Sequence, residues 1–168
     1  MLTISQRLHQ PRAADARLVL PFQVRSRSRF RARLADGEEV GVLLARGQIL
    51  RGGDLLLASD GRVIEIGAAA ETVSSVHSAD ARLLARAAYH LGNRHVALQV
   101  GEGWLRYLHD HVLDDMMHGL GLDVRVEQSM FEPEAGAYHG GGEGGQSNGH
   151  GHGHGHGHEH GDEHTHDH

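Results

Sequence analysis

The chain has no cysteine and no lysine, only three prolines, and 4% aromatic residues. Without cysteine there are no disulfides, no thiolate metal sites, no zinc ribbon and no cysteine nucleophile. Without lysine there is no Schiff-base chemistry and no phosphate-binding P-loop, and all 16 basic residues are arginine. Long apolar runs are missing too. Val42–Ala45 and Leu55–Ala58 are far too short to span a bilayer. The start, MLTISQRLHQ, lacks an apolar stretch of signal-peptide length, so a soluble cytoplasmic protein with no membrane partner is the expectation. What the 168 residues do hold in excess is glycine, 24, and histidine, 17.

The net charge of −6 is unevenly spread. Residues 1–72 are weakly basic, whereas residues 73–138 and 139–168 are each acidic. Nucleic acid needs a concentrated positive field, and this balance argues against it as a partner.

The first 70 residues read as β-structure. Leu2 and Ile4 alternate with polar neighbours, Arg17–Val24 is an apolar run broken by Pro21, and Val40–Ala45, Leu55–Ala58 and Arg62–Ile66 are strand candidates. Asp36-Gly37 supplies a hairpin turn of the kind that needs positive φ. Arginines at 25, 27, 29, 31 and 33 alternate, which in one extended strand places all five on one face. Such a stripe blunts a sheet edge against aggregation or docks an acidic protein; nucleic acid would want interleaved aromatics, and only Phe30 is present. Short strands with these turns predict a small β-sandwich or barrel.

The pattern changes after Gly67–Ala70. Thr72–His77 reads as a strand, and Ser78 or Asp80 can cap a helix through Leu83, Leu84, Ala87, Ala88 and Leu91. Gly92-Asn93 is the expected stop, since both residues tolerate the left-handed conformation. Ala97–Val100 and Trp104–Leu108 read as strands, Val112, Leu113, Met116, Met117 and Leu120 as a helix stopped at Gly119 or Gly121, and Asp123–Phe131 as a last strand. The order β-α-β-β-α-β is that of a ferredoxin-like domain. Three segments follow: 1–70, a β domain; 71–138, a ferredoxin-like domain; and 139–168, a tail with no apolar residue and therefore no means of offsetting its ordering entropy. The fold class is α+β with a disordered His-rich tail.

The tail carries the strongest chemical signal. Histidines recur at His150, His152, His154, His156, His158 and His160, then at His164, His166 and His168, interleaved with glycine and four carboxylates. Imidazole suits Ni, Cu and Zn, and flexible glycines let neighbouring rings wrap one ion. At three or four rings per ion the string would hold about two or three ions. Many near-equal ligand sets favour buffering and hand-off over one rigid geometry. Imidazole titrates at about pH 6–6.5, so protons compete for these ligands and affinity falls on acidification.

His109 and His111 share a face only if the segment between them is extended, with Asp110 expected to cap the following helix. His95 is a lone imidazole just past a helix stop. It becomes a ligand if a second copy brings its own His95 across a two-fold axis, because an isologous contact supplies two rings from one position. His90 fits the helix C-terminus, where positive charge is favoured. Asp115 and His118 have the spacing of a di-iron helix pair, but that site needs three further ligand helices. No nucleophile elbow and no dinucleotide fingerprint is present, so no catalytic set emerges.

Taken together, Ala88-Tyr-His-Leu-Gly-Asn-Arg-His95, Leu108-His-Asp-His-Val-Leu-Asp-Asp-Met116, Phe131-Glu-Pro-Glu-Ala-Gly-Ala-Tyr-His139, Arg46-Gly-Gln-Ile-Leu-Arg-Gly-Gly-Asp54 and the His-rich tail resemble the UreE family of urease accessory nickel chaperones. The resemblance covers nearly the whole chain. It implies an N-terminal β domain for partner or peptide contact and a homodimer formed through the second domain. It also implies delivery of Ni²⁺ to apo-urease together with the urease accessory GTPase; Cu²⁺ or Zn²⁺ would also bind the same donors. The family's interface nickel ligand falls on His95, and its H-x-H pair, which binds additional metal, falls on His109 and His111. The protein is thus expected to be a carrier and not an enzyme. A storage protein without hand-off and a metalloenzyme using His109 and His111 are the rival readings.

Overall fold

A computed structural model describes residues 2–136. The tail histidines from His139 onward, and the disorder expected there, lie outside the described residues. Among the described residues the fold is α+β, with two sheets and three helices. No helix among the described residues is long and apolar enough to cross a membrane.

The first sheet contains β1 (Leu2–Leu8), β2 (Ala16–Leu20), β3 (Arg29–Arg33), β4 (Glu39–Leu43), β5 (Leu55–Ala58) and β6 (Val63–Ala68). Their order is β2-β6-β5-β1-β4-β3, so the sheet is mixed; among the described residues β2 and β3 are its edges, and the pairing does not close into the barrel that the strand lengths allowed. It nevertheless curls. Leu18 and Leu20 from one edge strand, Phe30 and Ala32 from the other, and Ile4, Val40, Leu56 and Ile64 between them share one apolar cluster. The alternation seen in the sequence is the cause: Leu2 and Ile4 are buried while Thr3 and Ser5 are exposed. The β3–β4 hairpin turns at Gly37, whose φ of 88° suits a residue without Cβ.

The arginine stripe is not one strand. Pro21 starts a four-residue helix, α1 (Phe22–Arg25), and the chain turns before β3 begins. Only Arg29, Arg31 and Arg33 remain on the exposed face of an edge strand. Arg25 is fully buried. Its Nε donates to Leu20 O at 3.0 Å, its Nη1 to Leu50 O and Glu132 Oε1 at 2.9 Å each, and its Nη2 to Phe131 O at 2.5 Å. Burial pulls its pKa down and Glu132 opposes that pull; a guanidinium has enough margin to stay charged. The local alternation missed this because three of the four acceptors come from distant parts of the chain.

Those bonds tie the first sheet to the end of the second half. Arg51 and the Gly52 N–H also reach Glu132, and the Phe22 ring meets Phe131 edge-on with centroids 5.5 Å apart. Beyond this junction the outgoing chain is held to the second half. Glu132 N–H donates to Gln99 Oε1, and Glu134 N–H donates to Leu98 O at 2.8 Å.

The second half runs β7 (Ala70–His77), α2 (Ala81–Asn93), β8 (Gln99–Gly101), β9 (Trp104–Leu108), α3 (His111–Gly119) and β10 (Val124–Met130), the element order read from the sequence. Its sheet order is β10-β7-β9-β8, every neighbour antiparallel. Val76, Leu105 and Tyr107 from the sheet pack against Ala87 and Leu91 of α2 and Leu113 and Met117 of α3. The Trp104 indole lies over Gly101, where a Cβ would overlap the ring. Asp80 and Asp110 cap the two helices, each accepting from the N–H groups two and three residues on.

Candidate metal-binding site

The pairing registers bring the three singled-out histidines to one end of the second sheet. β8 begins opposite the end of β9, since Gln99 faces Arg106 and the strands run in opposite directions. His95 precedes the first of these strands, His109 follows the second, and His111 opens α3. The chain leaving β10 departs from the same end, beside Leu98.

His95 sits in an unexpected backbone position. Its φ is 57°, and it is the only non-glycine residue with positive φ among the described residues. His95 N–H donates to Gly92 O and Val96 N–H to Leu91 O. That pair of bonds closes the helix in a Schellman motif, with Leu91 and Val96 in its apolar contact positions. The expected stop at Gly92-Asn93 is therefore corrected: both residues belong to α2, and the left-handed turn falls on His95. Leu91 must stay buried and Val96 must return to the core, which leaves His95 as the residue that reverses the chain. Its imidazole is exposed at the tip of that reversal.

His109 and His111 flank Asp110, whose backbone is extended (φ −151°, ψ 120°), and both histidines are exposed. Asp110 serves as the cap, as expected, its Oδ1 accepting from the Val112 and Leu113 N–H groups. His109 has neighbours that the sequence reading did not anticipate. Its Nδ1 lies 3.1 Å from Asp114 Oδ2 and 3.1 Å from Ser74 Oγ. Asp114 Oδ1 accepts from the Tyr107 hydroxyl at 2.7 Å. Burial first, then the bond to Asp114, pushes the Tyr107 hydroxyl well above its ordinary pKa, so it stays a donor. Asp114 and Ser74 both meet the same ring nitrogen. A serine–histidine–aspartate relay would put them on opposite nitrogens, so this is not one. Strand register, which no local pattern in the sequence announces, places Ser74 and Tyr107 across from each other on β7 and β9.

His90 and His118 occupy the last turns of α2 and α3, where an imidazole complements the helix dipole. Among the described residues, no three His, Asp or Glu side chains gather closely enough to hold an ion.

Comparison with known proteins bears on the whole chain. The model of the UreE urease accessory protein N-terminal domain matches residues 3–69, and that of the C-terminal domain matches residues 71–168. The urease accessory protein UreE of Alkalilimnicola ehrlichii is 64% identical over 140 residues, covering 83% of this chain and 86% of its own. That of Enterobacter sp. strain 638 is 55% identical over 139 residues, covering 82% and 91%. That of Pseudomonas putida strain F1 is 54% identical over 141 residues, covering 82% and 84%. With both halves matched in order and identity this high over most of its length, the chain belongs to the UreE urease accessory protein family.

Proposed function

We propose that the protein is a nickel carrier in urease maturation: it binds Ni²⁺ and hands it over for assembly of the urease active site, together with the accessory GTPase and the urease apoprotein. It is a homodimer in this reading, and it catalyses no reaction of its own. Residues 1–70 contact partners, the ferredoxin-like unit 71–138 dimerises and holds metal, and residues 139–168 capture it. The tail histidines collect the ion. Two copies of His95, one from each subunit, then hold it, with His109 and His111 as further ligands near the same end of the sheet.

One observation carries this reading: an imidazole stands where the backbone calls for glycine. A left-handed turn costs an L-residue roughly 1–2 kcal/mol relative to glycine. That cost is borne for a side chain, and the side chain is exposed. An exposed ring on a left-handed reversal fits a ligand that a two-fold axis doubles.

All-nitrogen and oxygen ligation exchanges more readily than a thiolate cage, as a carrier requires. The test is equilibrium dialysis of nickel against the full chain, a variant lacking residues 139–168, and His95→Ala, with urease activation at limiting nickel and dimer mass measured beside it. Tail removal should lower capacity and leave delivery largely intact. His95→Ala should impair delivery with little loss of capacity. Activation untouched by His95→Ala would refute the shared site, and delivery that vanishes with the tail would favour the storage reading.

A further inference from the structure

His109 and His111 are treated alike in the delivery reading, yet their surroundings differ. His109 is rooted by its own N–H, which donates to Thr72 O at 3.1 Å. Its ring lies against a buried polar chain: Asp114 and Ser74 each 3.1 Å from Nδ1, and Tyr107 donating to the far oxygen of Asp114 at 2.7 Å. Tyr107 and Ser74 are fully buried, and Asp114 is 8% exposed. His111 is an exposed helix-opening residue with no carboxylate against its ring among the described residues.

An ionised carboxylate offers only lone pairs. A bare Nδ1 would set its own lone pair against Asp114 Oδ2. The proton therefore belongs on Nδ1, and the free lone pair on Nε2, the nitrogen that faces away from this cluster. Ser74 Oγ can share the same N–H. Asp114 is not itself a ligand in this arrangement, because both of its oxygens are engaged below the surface.

We propose that Asp114, held by Tyr107 and assisted by Ser74, is a positioning residue that locks His109 as the Nδ1–H tautomer and presents its Nε2 to a divalent cation of borderline softness. His109 is then the prepared member of the pair, and His111 the adaptable one. The inference rests on the reading of His109 as a cargo ligand. Its general basis is that ligating histidines commonly donate their second nitrogen to a carboxylate, and that loss of such a partner costs about ten- to a hundredfold in affinity.

The test is ring-nitrogen NMR of the metal-free full chain, at a pH where imidazole is neutral, followed by titration with Zn²⁺ as a diamagnetic probe and with Ni²⁺. In the native chain His109 should show the Nδ1–H pattern, and Zn²⁺ should shift Nε2. In Asp114→Asn the pattern should move toward the other tautomer, and the ion concentration that half-saturates His109 should rise about tenfold or more. Tyr107→Phe should produce a smaller change of the same sign, and it keeps the test decisive should Asp114→Asn fold poorly. A native ring carrying its proton on Nε2, or a tautomer indifferent to both substitutions, would overturn the proposal. A ring with the expected tautomer that ignores both ions would instead overturn the reading of His109 as a cargo ligand.

Discussion

The two helices of the second half end in the same way and with different residues. At α3, Gly121 N–H donates to His118 O and Leu122 N–H to Met117 O; at α2, His95 and Val96 repeat the pattern onto Gly92 and Leu91. Each motif is closed by an apolar pair, Met117 with Leu122 and Leu91 with Val96. The left-handed position holds glycine at the first, with φ 89°, and histidine at the second, with φ 57°. Geometry alone selects the residue at α3. At α2 the same geometry is met by a residue it disfavours, and the difference isolates what the side chain contributes from what the backbone requires. Two ends of one small domain thus act as control and experiment.

Exchanging the residues tests this directly. The largest effect expected is on metal: His95→Gly should abolish nickel binding at the proposed shared site, read by dialysis, while raising stability by about 0.5–1 kcal/mol in urea unfolding. A variant that loses nickel and also loses stability would break the comparison. Gly121→Ala should cost about 1–2 kcal/mol. Nothing lies within 4 Å of the added Cβ, so the loss is purely conformational. Gly121→Asn should recover part of it, since asparagine tolerates the left-handed region. The opposite ends of the helices are alike, and Asp80→Ala and Asp110→Ala should each cost about 1 kcal/mol in the same urea unfolding. Unequal values would mean that the helices differ along their whole length and not only at their C-termini.

The smallest effect is a pH baseline taken away from both helix ends. The Ser75 hydroxyl, aided by the charge of Arg106, holds the Glu127 carboxyl below the usual range. A carboxyl lowered on folding contributes stability above its unfolded value, and that contribution fades as pH falls through the folded one. Ser75→Ala should move the Glu127 titration, followed by NMR, back toward the ordinary value without altering the amide signals of His95 or Gly121.

Much of this architecture was legible because it is written locally. Alternation at Leu2 and Ile4, the acidic caps at Asp80 and Asp110, and helical spacing from Leu83 to Leu91 each need only neighbours a few residues apart. The position of His95 was half legible. Counting glycine and asparagine pointed to residues 92–93, whereas the apolar return at Val96 sets the register and puts the reversal on the residue before it. Arg25 was not legible, because its acceptors Leu50, Phe131 and Glu132 are distant in sequence. The surroundings of His109 were hidden for the same reason: Ser74 lies 35 positions away and only strand register brings it near.

The rung between Glu134 N–H and Leu98 O fastens the outgoing chain to the segment that leads from His95 into β8. Among the described residues, traction on residues 135–136 passes through that rung to Leu98, three residues from the reversal that carries the ring. Tension along the described end of the chain is therefore felt beside His95.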